Sequence, residues 1–195
     1  MPILVVCLLR HWPVIRLRGM VGIAMAAFMF ASASPAAAAS ASDLTAFLAL
    51  YRCDVVERLR MIHANPTSKD DRFLIIGLQD PPEAYVQCLF NDDDSKILCE
   101  AASGFYSQEA GEPRGFRVTS QALAALARLG FSTDDSKGNY RRMIDLTGSG
   151  DYTVIADLLL SALYQVYGAG LDSRSIWEAP LAPGKGTFAR CAPLS

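Results

Sequence analysis

The sequence predicts an α+β domain in which an antiparallel sheet of about five strands packs against helices. Apolar residues recur at helical spacing in three long segments, and shorter apolar runs bounded by turn residues separate them. The predicted helices cover 43–63, about 120–130 and 151–167; the predicted strands cover 72–78, 84–90 and 96–102, with one or two more between 131 and 146. The predicted chain order is helix, three strands, helix, strands, helix, which is typical of one sheet with helices packed against it.

The first helix is predicted from seven apolar residues that fall within about 120° of arc at 100° per residue. They are Leu44, Phe47, Leu48, Tyr51, Val55, Leu59 and Ile62. Ser42 is the predicted N-terminal cap. Cys53 lies about 180° from Leu44 on the same projection, so its side chain is predicted to point away from the buried stripe.

The first strand contains Phe73-Leu-Ile-Ile76, an apolar run without alternation. Such a run favours a central strand covered on both faces. The prolines of 79–83 predict the turn into the second strand, since proline cannot donate to a ladder. Residues 91–95 predict the turn into the third.

The two later helices have recognisable ends. Thr119 or Ser120 can cap the middle helix, and Gly130 supplies its C-terminal stop. Asp151 is the predicted cap of the last helix, which ends at Gly168.

The first 39 residues have the order of a secretory signal. Three arginines and no acidic residue come first, an apolar segment begins at Met20, and small residues follow up to Ala39. The apolar segment is shorter than the ~20 residues of a spanning helix. We therefore expect cleavage near Ala39 and a periplasmic or secreted bacterial protein. A retained N-terminal anchor, and translation from Met20 instead of Met1, are the alternatives.

Cleavage divides the chain into a signal peptide (1–39), a domain (40–171) and a C-terminal tail (172–195). The signal holds three of the 18 basic residues and none of the 20 acidic ones, which leaves 15 against 20 and a formal net charge of −5. Nucleic acid and anionic lipid bind clustered basic side chains. We therefore expect neither a nucleic-acid partner nor a membrane contact beyond the signal peptide.

Four cysteines remain after cleavage: Cys53, Cys88, Cys99 and Cys191. In an exported protein this number favours two disulfides, and three connectivities are open. If Cys88 faces Cys99, the strands pair without a bulge and residues 92–95 form a four-residue loop. Cys53 then pairs with Cys191, since the tail is the segment free to lie over an outward cysteine. The absence of Cys-x-x-Cys argues against a thioredoxin-like motif and a zinc knuckle.

Motifs that could carry chemistry have simpler interpretations. His63 is the only histidine after the signal, and its place at a helix end suits a role at the helix dipole. Asp92, Asp93 and Asp94 lack the spacing of a calcium loop and predict a solvated hairpin tip. Residues 148–151 lack the lysine of a phosphate-binding loop. We therefore predict no catalytic residue, no metal site and no cofactor.

Three aromatic residues near the C-terminus allow two interpretations. Tyr164 and Tyr167 lie three residues apart on the last helix, and Trp177 follows in the tail. They could form an aromatic binding patch. Packing within the core and against the tail is the favoured interpretation.

Several segments resemble the Tir-chaperone/YbjN-like family, whose members share the fold of type III secretion chaperones. The matching segments are Arg72-Phe-Leu-Ile-Ile-Gly, Tyr85-Val-Gln, Glu100-Ala-Ala-Ser, Leu129-Gly-Phe, Asn139-Tyr and Ala156-Asp-Leu-Leu-Leu-Ser-Ala-Leu-Tyr-Gln-Val-Tyr-Gly. The resemblance implies the order α-β-β-β-α-β-β-α, self-association and binding of other polypeptides. The signal, the cysteines and the tail depart from the family pattern and indicate an exported variant.

Together these features predict an exported, non-enzymatic protein-binding domain of chaperone-like or adaptor type, with a protein partner or a second copy as its ligand. An envelope structural or stress protein without a defined ligand is the alternative. An enzyme of unfamiliar type would require His63 to lie near a carboxylate and a nucleophile.

Overall fold

Three helices and five strands make up the computed structural model, which describes residues 41–65, 70–91, 94–106, 116–146 and 152–182. In chain order they are α1 (Ala41–His63), β1 (Phe73–Leu78), β2 (Tyr85–Phe90), β3 (Lys96–Ala101), α2 (Ser120–Arg128), β4 (Tyr140–Asp145), α3 (Tyr152–Tyr167) and β5 (Ser175–Glu178). All lie in one of the chain's two compact units, Ala38–Ser195.

The five strands form one antiparallel sheet in the order β4-β3-β2-β1-β5. The predicted α+β class and the five-stranded antiparallel sheet are confirmed. One strand is placed differently from the predicted order: among the described residues only β4 lies between α2 and α3, and β5 follows α3. Phe131 belongs to no strand, although the N–H of the next residue, Ser132, donates to the Arg141 carbonyl at 2.8 Å.

Helix α1 buries the stripe that its sequence predicts. Phe47, Tyr51, Val55, Leu59 and Ile62 are all buried, at spacings of three and four residues. The helix begins one residue before the predicted cap Ser42, so that serine lies in the first turn.

The middle helix has the predicted ends. Thr119 is the N-cap of α2, and its side chain accepts from the Ala122 N–H at 3.2 Å. Gly130 follows the helix with φ +79°, a conformation that side chains with a Cβ rarely adopt. The predicted cap of α3, Asp151, lies outside the described residues.

The core lies between the helices and one face of the sheet. Its sheet residues are every second position of the central strands: Leu74, Ile76, Leu78, Val86, Cys88, Phe90, Ile97, Cys99 and Ala101. Successive side chains of a strand point to opposite faces, so these residues all point to the helix side. Phe73 and Ile75 are half-buried on the other face and lie outside the core cluster. The predicted central position of β1 is confirmed, since it lies between β2 and β5, but its cover on the second face is only partial.

The β2–β3 hairpin has the predicted register. Cys88 pairs with Cys99, Leu89 with Leu98, and Phe90 with Ile97. A disulfide joins Cys88 to Cys99, whose Cα atoms are 4.1 Å apart. That separation belongs to the closer, non-hydrogen-bonded type of cross-strand pair.

Candidate functional site

The sheet face that points away from the core carries a continuous apolar row across four strands. Pairing aligns Phe73 of β1 with Leu89 of β2, Leu89 with Leu98 of β3, and Leu98 with Met143 of β4. Phe73, Leu89 and Leu98 are half-buried, and Met143, on the edge strand, is 51% exposed. We call this side of the sheet the open face and these four residues the apolar row.

A polar row lies beside the apolar row on the open face. The Glu100 carboxylate is buried; its Oε2 accepts from Gln87 Nε2 at 2.5 Å, and its Oε1 accepts from Arg141 Nε at 2.8 Å. The Arg141 side chain is half exposed. Because both carboxylate oxygens are paired, Glu100 does not make the neighbouring apolar surface unfavourable for a ligand.

The third part of the open face surrounds Gly77 of β1. A Cβ at this position would lie 3.4 Å from the Tyr85 Cβ and 3.5 Å from the Ile176 Cγ1. On the open face, therefore, no side chain of β1 stands between Tyr85 of β2 and Ile176 of β5 at this position. The Tyr85 hydroxyl accepts from Asn139 Nδ2 at 2.9 Å, which fixes the tyrosine side chain.

A second cluster surrounds His63, at the C-terminal end of α1. The Tyr152 hydroxyl is hydrogen-bonded to His63 Nδ1, and Asp94 Oδ1 lies 3.7 Å from Nε2. The His63 ring stacks on Phe90 with 5.0 Å between centroids. Asp94 also forms an ion pair with Arg72, whose side chain is only 3% exposed. Helix α1, the β2–β3 hairpin and α3 therefore meet at this cluster.

The chemistry of the cluster favours a structural role over catalysis. A tyrosine nucleophile would need a lowered pKa, but the pKa of Tyr152 is raised, chiefly by burial. The charge of Arg60 lowers it by a smaller amount, and the charge of Asp94 raises it by less still. Arg72 Nη2 donates to the His63 carbonyl at 3.4 Å, and Nη1 to the Asn91 carbonyl at 3.5 Å. The arginine thus ties the end of α1 to the hairpin tip.

The structure places the predicted disulfide cysteines in different environments. Cys88 and Cys99 are fully buried on the helix side of the sheet, whereas Cys53 is exposed on α1, as its position opposite the apolar stripe predicts. Cys191 lies outside the described residues, so its pairing with Cys53 stays a prediction. Asp92, Asp93 and residues 148–151 also lie outside them. Within the described part of the chain, no group of histidine, cysteine and carboxylate side chains could hold a metal ion.

The three C-terminal aromatic residues pack separately and form no common patch. Tyr164 is buried, and its ring centroid lies 5.5 Å from that of Phe47. The Tyr167 hydroxyl donates to the Ala102 carbonyl at 2.7 Å, and burial raises the pKa of Tyr167 well above its usual value. Trp177 lies under the Arg58 guanidinium, with the arginine Cζ 3.1 Å from the ring centroid. The packing interpretation is the one that the structure supports.

Sequence reasoning missed the open face as a site. The residues of its apolar row come from four strands separated by turns and a helix, and each strand contributes one side chain. The available signal was the alternation Tyr85-x-Gln87-x-Leu89 in β2, which puts a tyrosine, a glutamine and a leucine on one face. The strand order is needed to recognise that other apolar residues continue this face.

Comparison with known protein families identifies a match over residues 51–173, to a family described as T3SS (YopN, CesT) and YbjN peptide-binding chaperone 3. The chain belongs to this family. The matched residues run from α1 through α3, and they include β1 to β4 and hence the whole apolar row. The family supports a peptide-binding, chaperone-like role and a polypeptide partner. No curated protein and no solved structure matches significantly.

None of the helices within the described ranges combines the length and the apolar character that crossing a bilayer requires.

Proposed function

We propose that this protein is an exported member of the peptide-binding chaperone family and that a segment of its polypeptide partner docks on the open face. The apolar row carries this proposal. Four apolar side chains from neighbouring strands, about 4.8 Å apart, make a surface roughly 14 Å long. Contact with apolar side chains of a ligand would remove this surface from water, which is the main driving force of association.

The polar row would give the ligand its orientation. Glu100 is held by two hydrogen bonds, and the half-exposed Arg141 guanidinium stands next to Met143 at the β4 edge of the sheet. A ligand segment that crosses the apolar row would meet this cation at one end only. Charged groups at the border of an apolar surface add specificity more than affinity.

Met143→Lys tests the docking surface, with Met61→Lys as its matched control. Both methionines are exposed, at 51% and 40%, but Met143 lies on the open face and Met61 on α1. Twelve-residue peptides selected by phage display on the mature chain serve as probes, and their Kd is measured by fluorescence anisotropy. Met143→Lys should weaken binding at least about tenfold, or about 1.4 kcal/mol, because a charge then enters the apolar surface. Met61→Lys should change it less than about twofold.

Two results would contradict this proposal: no peptide enriched over a blank surface, or the same loss of affinity in both variants. Light scattering on the same proteins separates the two partner types. A dimer that the Met143 substitution dissociates would identify a second copy of the chain as the occupant. A monomer that binds peptide would identify a different polypeptide.

Export is proposed from the leader and the hairpin cysteines. Residues 1–39 have the charge and hydropathy order of a signal, and a buried disulfide between Cys88 and Cys99 suits an oxidising compartment. When the full chain is expressed in a bacterial host with a periplasm, we expect the periplasmic fraction to contain a protein that starts near Ser40. Mass spectrometry of the intact protein measures that start. A full-length chain confined to the cytoplasm would contradict export.

A further inference from the structure

Strand β5 occupies the outer edge of β1, outside the segment that matches the family. The family match ends at residue 173, and β5 covers Ser175–Glu178. Its register pairs Ile76 with Trp177 and Gly77 with Ile176. Without β5, the apolar strand β1 would be the edge of the sheet, and its outward N–H and C=O groups would be open to another strand.

The side chains of β5 hold it to the protein at few points. Ile176 is 48% exposed and Glu178 is exposed, whereas Trp177 is half-buried on the helix side beneath Arg58. Trp177 Nε1 and Arg58 Nε are buried with no hydrogen-bond partner among the described residues. A buried donor without an acceptor is unfavourable, so the tryptophan fills its place imperfectly.

Arg58 also holds the residues that follow β5. Its Nη1 donates to the Ala182 carbonyl at 2.7 Å, and its Nη2 lies 3.1 Å from Asp54 Oδ1. Ala179 and Ala182 are the buried residues of this segment, and both are small. One arginine thus secures β5 through a ring contact and the next turn through a hydrogen bond.

The segment that leads into β5 borders a small cleft. Its walls are Phe47 and Tyr51 of α1, Leu163 of α3, and Ser173 and Ser175 before and at the start of β5, among others. Tyr51 also holds this segment, since its hydroxyl donates to the Leu171 carbonyl at 3.2 Å. Strand β5 itself is held by a short ladder and few buried side chains, and such segments open locally at a lower free energy than the core.

We propose that the outer edge of β1 is a second docking site, which β5 fills as the chain's own substitute ligand, and that an extended segment of the partner polypeptide replaces it. The proposal rests on the proposed peptide-binding function and adds the mode of binding and the ligand chemistry. The pattern of β5 defines that chemistry: an aliphatic residue over Gly77, an aromatic residue under Arg58, then an acidic residue exposed to solvent.

The buried indole nitrogen of Trp177 also indicates which aromatic residue the ligand should carry. A phenylalanine would keep the contact with the Arg58 cation and would bring no N–H that needs an acceptor. We therefore expect a ligand with phenylalanine at the aromatic position to bind more tightly than the sequence of β5 itself. Alanine at that position removes the contact with Arg58 and should weaken binding.

Ile176→Pro in the full mature chain opens the site, and Ile176→Ala is its matched control. Because the Gln79 N–H donates to the Arg174 carbonyl, the ladder alternation places the Ile176 N–H against the Gly77 carbonyl. Proline removes this N–H, whereas alanine keeps it. The probe is a labelled peptide of residues 173–180, with tryptophan, phenylalanine or alanine at the position of Trp177.

The proline variant should bind the tryptophan peptide at least about tenfold more tightly than the wild type or the alanine variant. The phenylalanine peptide should bind several times more tightly than the tryptophan peptide, and the alanine peptide about tenfold more weakly. Equal affinity in the proline and alanine variants would overturn the proposal, as would equal affinity of the three peptides.

Hydrogen exchange of the unmodified chain gives a test that does not depend on folding of the proline variant. The Ile176 amide should exchange about 100-fold faster than the Val86 amide, which lies in the β1–β2 ladder, because β5 opens without global unfolding. Equal protection of the two amides would overturn the proposal. Met143→Lys should leave the β5 peptides bound, so failure of the open face and failure of the β1 edge are distinguishable.

Discussion

Replacing Asp94 by asparagine is expected to lower the free energy of unfolding by about 3 kcal/mol. Asp94 forms an ion pair with Arg72, whose side chain is almost fully buried. Without this carboxylate, the buried guanidinium loses a counter-charge, which is more unfavourable than the loss of an exposed pair. Asparagine tolerates the left-handed conformation at this position, where φ is 57°, so the hairpin backbone need not change.

Urea denaturation measures this effect, and Asp145→Asn is the control. Asp145 pairs with Lys96 at 3.6 Å, but both side chains are exposed, so the same chemical change should lower stability by less than about 0.5 kcal/mol. A loss at Asp94 no greater than the loss at Asp145 would show that Arg72 does not depend on this counter-charge.

Removing the Cys88–Cys99 disulfide is expected to lower the free energy of unfolding by about 2–3 kcal/mol. The bridge joins residues 11 positions apart, so it closes a short loop and restricts the unfolded chain less than a long-range bridge would. In the folded state it lies in the core, where both cysteines are fully buried. Alanine is the appropriate replacement at both positions, since serine would bring hydroxyl groups into an apolar environment.

The double variant Cys88→Ala/Cys99→Ala is compared with the wild type by urea denaturation without reductant. The native hairpin register should persist, because Leu89–Leu98 and Phe90–Ile97 still pair. Nuclear Overhauser contacts across these pairs measure the register. Equal stability of the two proteins would mean that the bridge adds nothing to the pairing. A shifted register would mean that the apolar pairs do not define it.

The sequence predicted those elements whose determinants lie close together in the chain. The hairpin register follows from two cysteines and a four-residue loop, and helix α2 follows from Thr119 at its start and Gly130 at its end. The α1 stripe follows from periodicity alone. In each case local spacing decides the structure, so no knowledge of the tertiary arrangement is needed.

The parts that were not predicted depend on contacts between distant residues. Trp177 lies in a segment whose prolines, glycines and serines predict a tail, yet the segment pairs with β1 and its ring stacks under Arg58 of α1. The Phe73–Ile76 run indicates burial on both faces, but the two residues of this run that lie on the open face are only half-buried. His63 meets Tyr152 although 89 positions separate them. Composition and periodicity cannot predict such contacts, because the residues are far apart in the chain and meet only in the folded structure.

The direction of the apolar row determines what kind of ligand can follow it. The row crosses the strands, so the distance between its members is the strand spacing of about 4.8 Å. On an α-helix, residues three and four positions apart lie about 5–6 Å from each other. A helix laid along the row could thus keep an apolar side chain near each of its four members, with a mismatch of only a few ångströms over its full length. Such a surface would bind helices according to the spacing of their apolar residues, so that polypeptides of unrelated sequence could bind to it.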